Sequence, residues 1–452
     1  MKKILALLFI FLSLSPLAAC GGGGGAGDYI VPVYADDADK YLFIGAYDPY
    51  LGRFGQADFN NPSHFADIAA AGFTVLCPLD DKVNFDVIPE SSYTTLERAH
   101  EAGLKVLVQD GAISLSKDPS KWADPDDRNV HLYESHPAFI GNHMHDEPVP
   151  TLFPRLKKSV SIYKERLPGK LCFINLFQGM VSTGVGAASF KSYLSDFLDI
   201  TGADFLSYDH YPLLQSGGVR GDYLSDMETA AHVAKSRGVP LHNYLLSIPH
   251  TAFAGIYRSP SEEDLRWQVA CDLTYGLKGF TYFTYGSFDI YHNDSYGDAL
   301  VSRYGNKTPL YYYAQKVNNE ALAWDHVYLS YEWQNTAFLR GSKKRQSDII
   351  DNLAYSIDAS KEKPDGVKSL SSDEDILMGL FKDADGRRGY MLTNAVNPAL
   401  KCAASVTVGF NGYDGVQVYE KGVPKIYALE KGKISLVLEP GEGKFMIPLK
   451  KA

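Results

Sequence analysis

The feature that most constrains this chain is a repeat. Eight apolar runs with strand character recur at Tyr41–Tyr47, Phe73–Leu79, Lys105–Asp110, Phe139–Glu147, Leu171–Phe177, Phe205–Tyr211, Val239–Ile248 and Gly279–Tyr285. They follow one another in steps of about 34 residues, the length of one strand–helix unit. Between them lie amphipathic stretches that predict helices at Ser63–Ala71, Tyr93–Ala102, Leu152–Arg166, Phe190–Ile200, Tyr223–Arg237 and Glu262–Leu277, with another at Pro309–Ala323 after the last run. Glycines at 72, 103, 202, 238 and 279 stand where each helix should hand over to the next strand. Continuous apolar runs are the mark of strands buried on both faces. Eight such units predict an α/β fold, a (β/α)8 barrel, over residues 39–325. An open doubly wound sheet is the alternative. No glycine-rich phosphate loop follows the first strand, which counts against a nucleotide-binding fold.

After Trp324 the pattern changes. Short alternating runs at Thr336–Leu339, Asp375–Lys382, Arg388–Asn394, Ala404–Gly409, Gln417–Tyr419, Ile434–Leu438 and Lys444–Ile447 predict a smaller antiparallel β-sandwich over residues 326–452.

The first twenty residues read as a targeting segment. Met1-Lys2-Lys3 is basic and Ile4–Leu17 is apolar but too short to span a bilayer comfortably. Leu17-Ala18-Ala19-Cys20 resembles a bacterial lipobox, which implies lipidation at Cys20 and a place in the cell envelope on a lipid anchor. Residues 21–38, opening with five glycines, are expected to be a flexible tether. The net charge of −10, without a dense basic patch, argues against nucleic acid as a partner. The other cysteines, Cys77, Cys172, Cys271 and Cys402, lack metal or redox spacing, and no cofactor motif is present.

In a parallel barrel, chemistry sits at the carboxyl ends of the strands. Those ends carry Asp48, Asp80, Asp81, Asp110, Asp146, Glu147, Gln178, Tyr208, Asp209, His210, Tyr211, His250, Tyr285 and Asp289. Carboxylates accept paired sugar hydroxyls, and aromatic faces cover sugar C–H surfaces. Glycosidic hydrolysis needs one protonated and one ionised carboxyl. The rim therefore predicts a carbohydrate substrate.

The fourth run, ending Asp146-Glu147-Pro148, is similar to the strand-four signature of clan A glycoside hydrolases, where Asn-Glu-Pro is common and its Glu is the acid/base. The resemblance implies that role for Glu147 and substrate binding for Asp146. Tyr208-Asp209-His210-Tyr211-Pro212 is similar to the strand-six motif of that clan. The catalytic pair expected on this basis is Glu147 and Asp209. Asp146, Asp110, His210, Tyr211, Tyr208, Tyr285 and Gln178 are expected to bind substrate. One departure stands out: the seventh run carries no Glu where the clan places its nucleophile. Asp209 is the first substitute for it and Asp110 the second. Two other functions remain open, a glycan-binding lipoprotein without catalysis and a metal-dependent hydrolase using His143, His145 and Glu147, which share one face at period two.

Overall fold

In the computed structural model, residues 28–37, 39–49, 61–77, 89–110, 130–252, 254–288, 295–344 and 348–452 are described. Cys20, the leader, the start of the tether, Asp80, Asp81 and Asp289 lie outside the described residues.

Eight parallel strands close into a barrel. They are β1 (Phe43–Tyr47), β2 (Val75–Cys77), β3 (Lys105–Val108), β4 (Phe139–Asp146), β5 (Leu171–Leu176), β6 (Leu206–Asp209), β7 (Leu241–Leu246) and β8 (Gly279–Phe283). Each pairs with its sequence neighbours, and β1 pairs with β8 to complete the ring. The predicted helices form at Pro62–Ala70, Pro89–Glu101, Phe153–Arg166, Phe190–Thr201, Tyr223–Arg237, Glu262–Thr274 and Pro309–Leu322. Local chemistry starts several of them. Asn61 accepts from the Ser63 N–H at 3.0 Å, and Ser189 and Ser261 each close a capping box. Gly202 and Gly238 end their helices in the left-handed conformation, as their positions predict. Gly279 does not: it lies inside β8, where any side chain would run into His242. Among the described residues only the short helix Val130–Tyr133 stands between β3 and β4.

Side chains alternate between two buried layers. Phe43, Tyr47, Val75, Cys77, Leu107, Phe173, Phe205 and Tyr244 fill the barrel interior. Ile44, Leu76, Val106, Val108, Met144, Ile174, Leu206 and Tyr208 face the helical shell.

The C-terminal strands form a seven-stranded sheet and a three-stranded sheet packed over a second core that includes Met378, Leu392, Val406, Val416 and Met446. Pairing is antiparallel apart from the two-residue strand Ile357–Asp358, which runs parallel to Tyr331–Leu339. The strands Val367–Ser372 and Val423–Ala428 were not expected from the sequence. Both present mixed or exposed faces with little apolar alternation to reveal them. Trp324 stacks on Phe445 with centroids 5.3 Å apart, so the core continues from the barrel into the sandwich.

The tether expectation needs correcting over its described part. The Ile30 N–H donates to the Lys450 carbonyl at 3.0 Å, and Tyr34 Oη lies 2.6 Å from Tyr331 Oη. Residues 28–37 are therefore docked, because Tyr29, Val31 and Tyr34 have an apolar surface to cover.

Candidate active site

The site is built where β4, β5 and β6 end. Glu147 follows β4 with φ +50°, a conformation that side-chain-bearing residues rarely adopt. Its N–H donates to the Asn175 carbonyl at 2.9 Å, and Pro148 then stops the ladder. Asp146 is exposed at the strand tip. Asn175 Nδ2 donates to Asp146 Oδ1 at 3.2 Å, while Ser207 Oγ donates to Asn175 Oδ1 at 2.9 Å. Asp209 closes β6 on the same interior face as Phe205 and Ser207. Its Oδ1 is buried without a hydrogen-bond partner.

Electrostatics tie these three acids together. Burial, then Asp146, push the Glu147 carboxyl up to about 7. Burial, then Glu147 and Asp146, push Asp209 well above its ordinary range, against a lowering hydrogen bond from Tyr211. The two acids therefore titrate as a pair that resists carrying two charges, so one proton is held between them and the single charge can sit on either.

Aromatic side chains surround the acids. Tyr211 stacks on Phe283 with centroids 5.1 Å apart. Phe283 meets Tyr47 at 5.6 Å, and Tyr47 stands edge-on to Tyr244 at 5.4 Å. Tyr193 supports the loop from behind, donating to the Pro148 carbonyl at 2.7 Å. Beyond Phe283, His250 stacks on Tyr296 at 5.4 Å, and Phe288, Phe283 and Tyr296 remain half-buried. Half-covered aromatic faces beside clustered carboxyls suit a ligand with both hydroxyl groups and C–H faces.

The structure brings together Asp146, Glu147, Asp209 and Tyr211, and it moves other expected site residues elsewhere. Tyr208 precedes Asp209, so alternation points it outward, against Phe190 at 5.8 Å. Tyr285 is buried between Phe73 and His64 beneath the first helix. Asp110 shares the outward phase of Val106 and Val108; it is 1% exposed and accepts from Tyr133 Oη at 2.8 Å. It cannot serve as the second carboxyl. His210 also faces away from the interior and is fully buried among Asp222, Asp226 and Tyr223. Gln178 is at the expected strand end, where its backbone caps the short helix Gly179–Gly184 and its Oε1 is buried without a partner.

The alternative metal set does not assemble. A bulge separates His143 from His145 in the pairing with β5, and the His143 ring stacks on Phe173 at 5.5 Å. Among the described residues, one His and carboxylate group brings ligand atoms within 4.8 Å of one another, and it is His210, Asp222 and Asp226. Asn175, Ser207, Tyr47 and Tyr244 were not singled out from the sequence. Their signal was phase: each shares the inward face of its strand with the cluster.

No family model matches the sequence, and no curated protein matches it. Solved structures do. A protein described as a glycoside hydrolase superposes with a TM-score of 0.53 at 12% identity, covering 91% of this chain and 93% of its own. A glycoside hydrolase family 5 protein from Bacteroides vulgatus gives a TM-score of 0.51 at 12% identity, covering 91% and 90%. An α-amylase from Anoxybacillus gives 0.50 at 11% identity, covering 92% and 100%. At such identities the likeness is one of fold. It extends over more of the chain than the barrel alone, and so includes the C-terminal sheets.

Proposed function

We propose that the protein is a glycoside hydrolase acting on a poly- or oligosaccharide, with Glu147 as general acid/base and Asp209 as the second carboxyl. One observation carries this reading: three carboxyls, Asp146, Glu147 and Asp209, converge at the carboxyl-terminal mouth of the barrel, where burial first and the neighbouring carboxylates second raise Glu147 to about 7 and Asp209 well above its ordinary range. A group titrating near the working pH can both give and take a proton. Glu147 protonates the glycosidic oxygen as the C–O bond breaks, the electron pair of that bond leaves with the oxygen, and water adds to the anomeric carbon, returning a proton to Glu147. Neutral Glu147 cannot repel Asp209, which leaves the single charge of the pair free to sit there. That charge faces the positive anomeric carbon as it develops. Tyr211 and Phe283 supply the aromatic wall. The glycoside hydrolases of similar fold support the same substrate class.

Anchoring belongs to this proposal. The lipobox-like Leu17-Ala18-Ala19-Cys20 supports a place in the cell envelope, with lipid at Cys20 as the anchor and the barrel outside the bilayer.

A second reading rests on β7. It ends at Leu245-Leu246, and the Oγ of Ser247, the next residue, donates to the Thr284 carbonyl at 3.0 Å. A barrel without a strand-seven carboxylate can bind glycan without cleaving it. The test is incubation of the full chain with a broad glycan panel, followed by assay for new reducing ends and, in parallel, for binding. Cleavage of any member supports the enzyme. Binding without cleavage across the panel supports the lectin-like reading and sinks the first.

A further inference from the structure

His210 is the residue whose placement the hydrolase reading does not absorb. It follows Asp209 directly, yet its ring is fully buried outside the barrel interior. Nδ1 lies 3.0 Å from Asp226 Oδ2 and Nε2 lies 3.4 Å from Asp222 Oδ1. Tyr223 stands edge-on to the ring at 5.4 Å.

Each carboxylate is in turn tied to a different loop. Asp226 Oδ2 accepts the Gly179 N–H at 2.9 Å, at the start of the short helix after β5. A side chain at Gly179 would run into the Asp226 carboxylate, so this approach requires glycine. Asp222 receives Arg220 through both Nε (3.1 Å) and Nη2 (2.8 Å). Arg220 Nη1 continues to the Ala254 carbonyl at 2.9 Å, in the hairpin after β7. One imidazole thus sits at the junction of the segments that follow β5, β6 and β7.

The charge state follows from the geometry. A neutral imidazole has one N–H, so one ring nitrogen would present a lone pair to a carboxylate oxygen. Two carboxylates against one guanidinium would also leave a negative charge uncompensated beside a sealed ring. A protonated ring resolves both. Burial opposes that charge, and attraction from Asp222 and Asp226, whose oxygens lie within ion-pair distance of the two ring nitrogens, outweighs it. A metal is the poorer occupant, because Arg220 already takes both Asp222 oxygens and Gly179 takes Asp226 Oδ2.

We propose that His210 is a positioning residue, a buried imidazolium that locks the segments after β5, β6 and β7 into one wall and so fixes the neighbouring Asp209. The catalytic half of this statement rests on the hydrolase reading. The structural half does not.

The direction with pH is set by linkage. The folded ring holds its proton more tightly than an unfolded histidine, so the lock is fully present below about pH 6.5 and is lost as pH rises through the higher folded value. The charged groups that face it are Asp222, Asp226 and, through Asp222, Arg220.

Two measurements on the full chain test this. In protein labelled with ¹⁵N-histidine, the resonance that disappears in His210→Gln should report both ring nitrogens still protonated where an ordinary histidine is half-titrated, at about pH 6.5, and should titrate above that midpoint. Should that variant fail to fold, the resonance shifted most by Asp222→Asn identifies the ring. A ring whose titration midpoint lies at or below about pH 6.5 overturns the proposal. Hydrogen exchange in the wild type should quicken in residues 179–184, 212–222 and 251–258 as pH passes through the ring's titration, after correction for intrinsic rates. Corrected rates that stay level across that titration also overturn it. If the panel shows cleavage, His210→Gln should lower kcat on the order of ten- to a hundredfold with KM nearly unchanged. A raised KM with kcat unchanged would remove the positioning role. Absence of cleavage in the wild type would sink the hydrolase reading and leave the two structural measurements standing.

Discussion

Asn175 donates its side-chain amide to Asp146 across the β4–β5 boundary, at 3.2 Å. Its own carbonyl meanwhile accepts the Glu147 N–H at 2.9 Å. The clan A resemblance leads one to expect an amide just before the glutamate. This chain has a carboxylate there, and the amide reaches it from the next strand. The result is a Ser207–Asn175–Asp146 chain that orients the tip of β4.

Removing that amide should therefore harm catalysis more than folding. Asn175→Ala should lower kcat on the order of ten- to a hundredfold, because Asp146 loses the donor that orients it beside Glu147 while the backbone hold on Glu147 stays. The melting temperature should fall by the loss of one buried acceptor, that of Ser207 Oγ, while the exposed Asp146 re-solvates. A melting transition that collapses, or a kcat that does not move, would contradict this role. Steady-state kinetics beside thermal melts decide it.

Glu147 gives a pH dependence of defined sign. Its folded carboxyl is held at about 7, above its ordinary 4.5, so the folded state binds more protons between those values. Stability contributed by this group is present below about pH 4.5 and is lost as pH rises to about 7. Glu147→Gln keeps the neutral shape and removes the buried charge. It should raise the melting temperature at about pH 8 and leave it nearly unchanged at about pH 4. Equal effects at both pH values would mean that Glu147 is not the buried, repelled group described.

Glu228 joins the barrel to the sandwich and tests that seam. Its buried carboxylate, on the helix Tyr223–Arg237, accepts the Ala354 N–H at 2.7 Å and the Ser356 N–H at 2.5 Å. Glu228→Ala leaves two donors without acceptors and should cost about 1–3 kcal/mol. Urea unfolding should show this loss, and the mutant should retain activity because Glu228 lies outside the mouth.

The sequence shows the barrel clearly because each βα unit carries its own signals. Tyr223–Arg237 and Arg388–Asn394 form with the expected ends. It shows the site less well, and the reason is phase. Strands buried on both faces lack polar–apolar alternation, so Val106, Leu107 and Val108 look alike and do not reveal which way Asp110 points. Tyr208 and Asp209 are adjacent, and only the closed barrel shows that one faces helices and the other the mouth. His210 was legible as a polar residue at a strand end. Its acid partners lie twelve and sixteen residues further on, beyond any local motif.

Cys20 carries the cellular prediction. A basic start, a short apolar core and a lipobox-like end imply acylation at that thiol. Cys20→Ser should move the protein from the membrane fraction to the soluble one. A variant that remains fully membrane-bound would show that something other than lipid at Cys20 holds it.

The two carboxyls can be told apart by leaving group. A natural glycan leaves as a poor alkoxide and needs a proton, whereas an activated aryl glycoside leaves with little help. Loss of a general acid typically costs about 10²–10⁴-fold when the leaving group is poor. Glu147→Gln should therefore fail on natural glycan and keep appreciable activity on the aryl substrate in its first step. Asp209→Asn removes the charge that meets the anomeric carbon, which both substrates need, so it should fail on both. Equal losses on both substrates for Glu147→Gln would take the acid role from it. Wild-type rates in Asp209→Asn would take the second role from Asp209, and Asp146 would inherit it, because the buried Asp110 faces the helices.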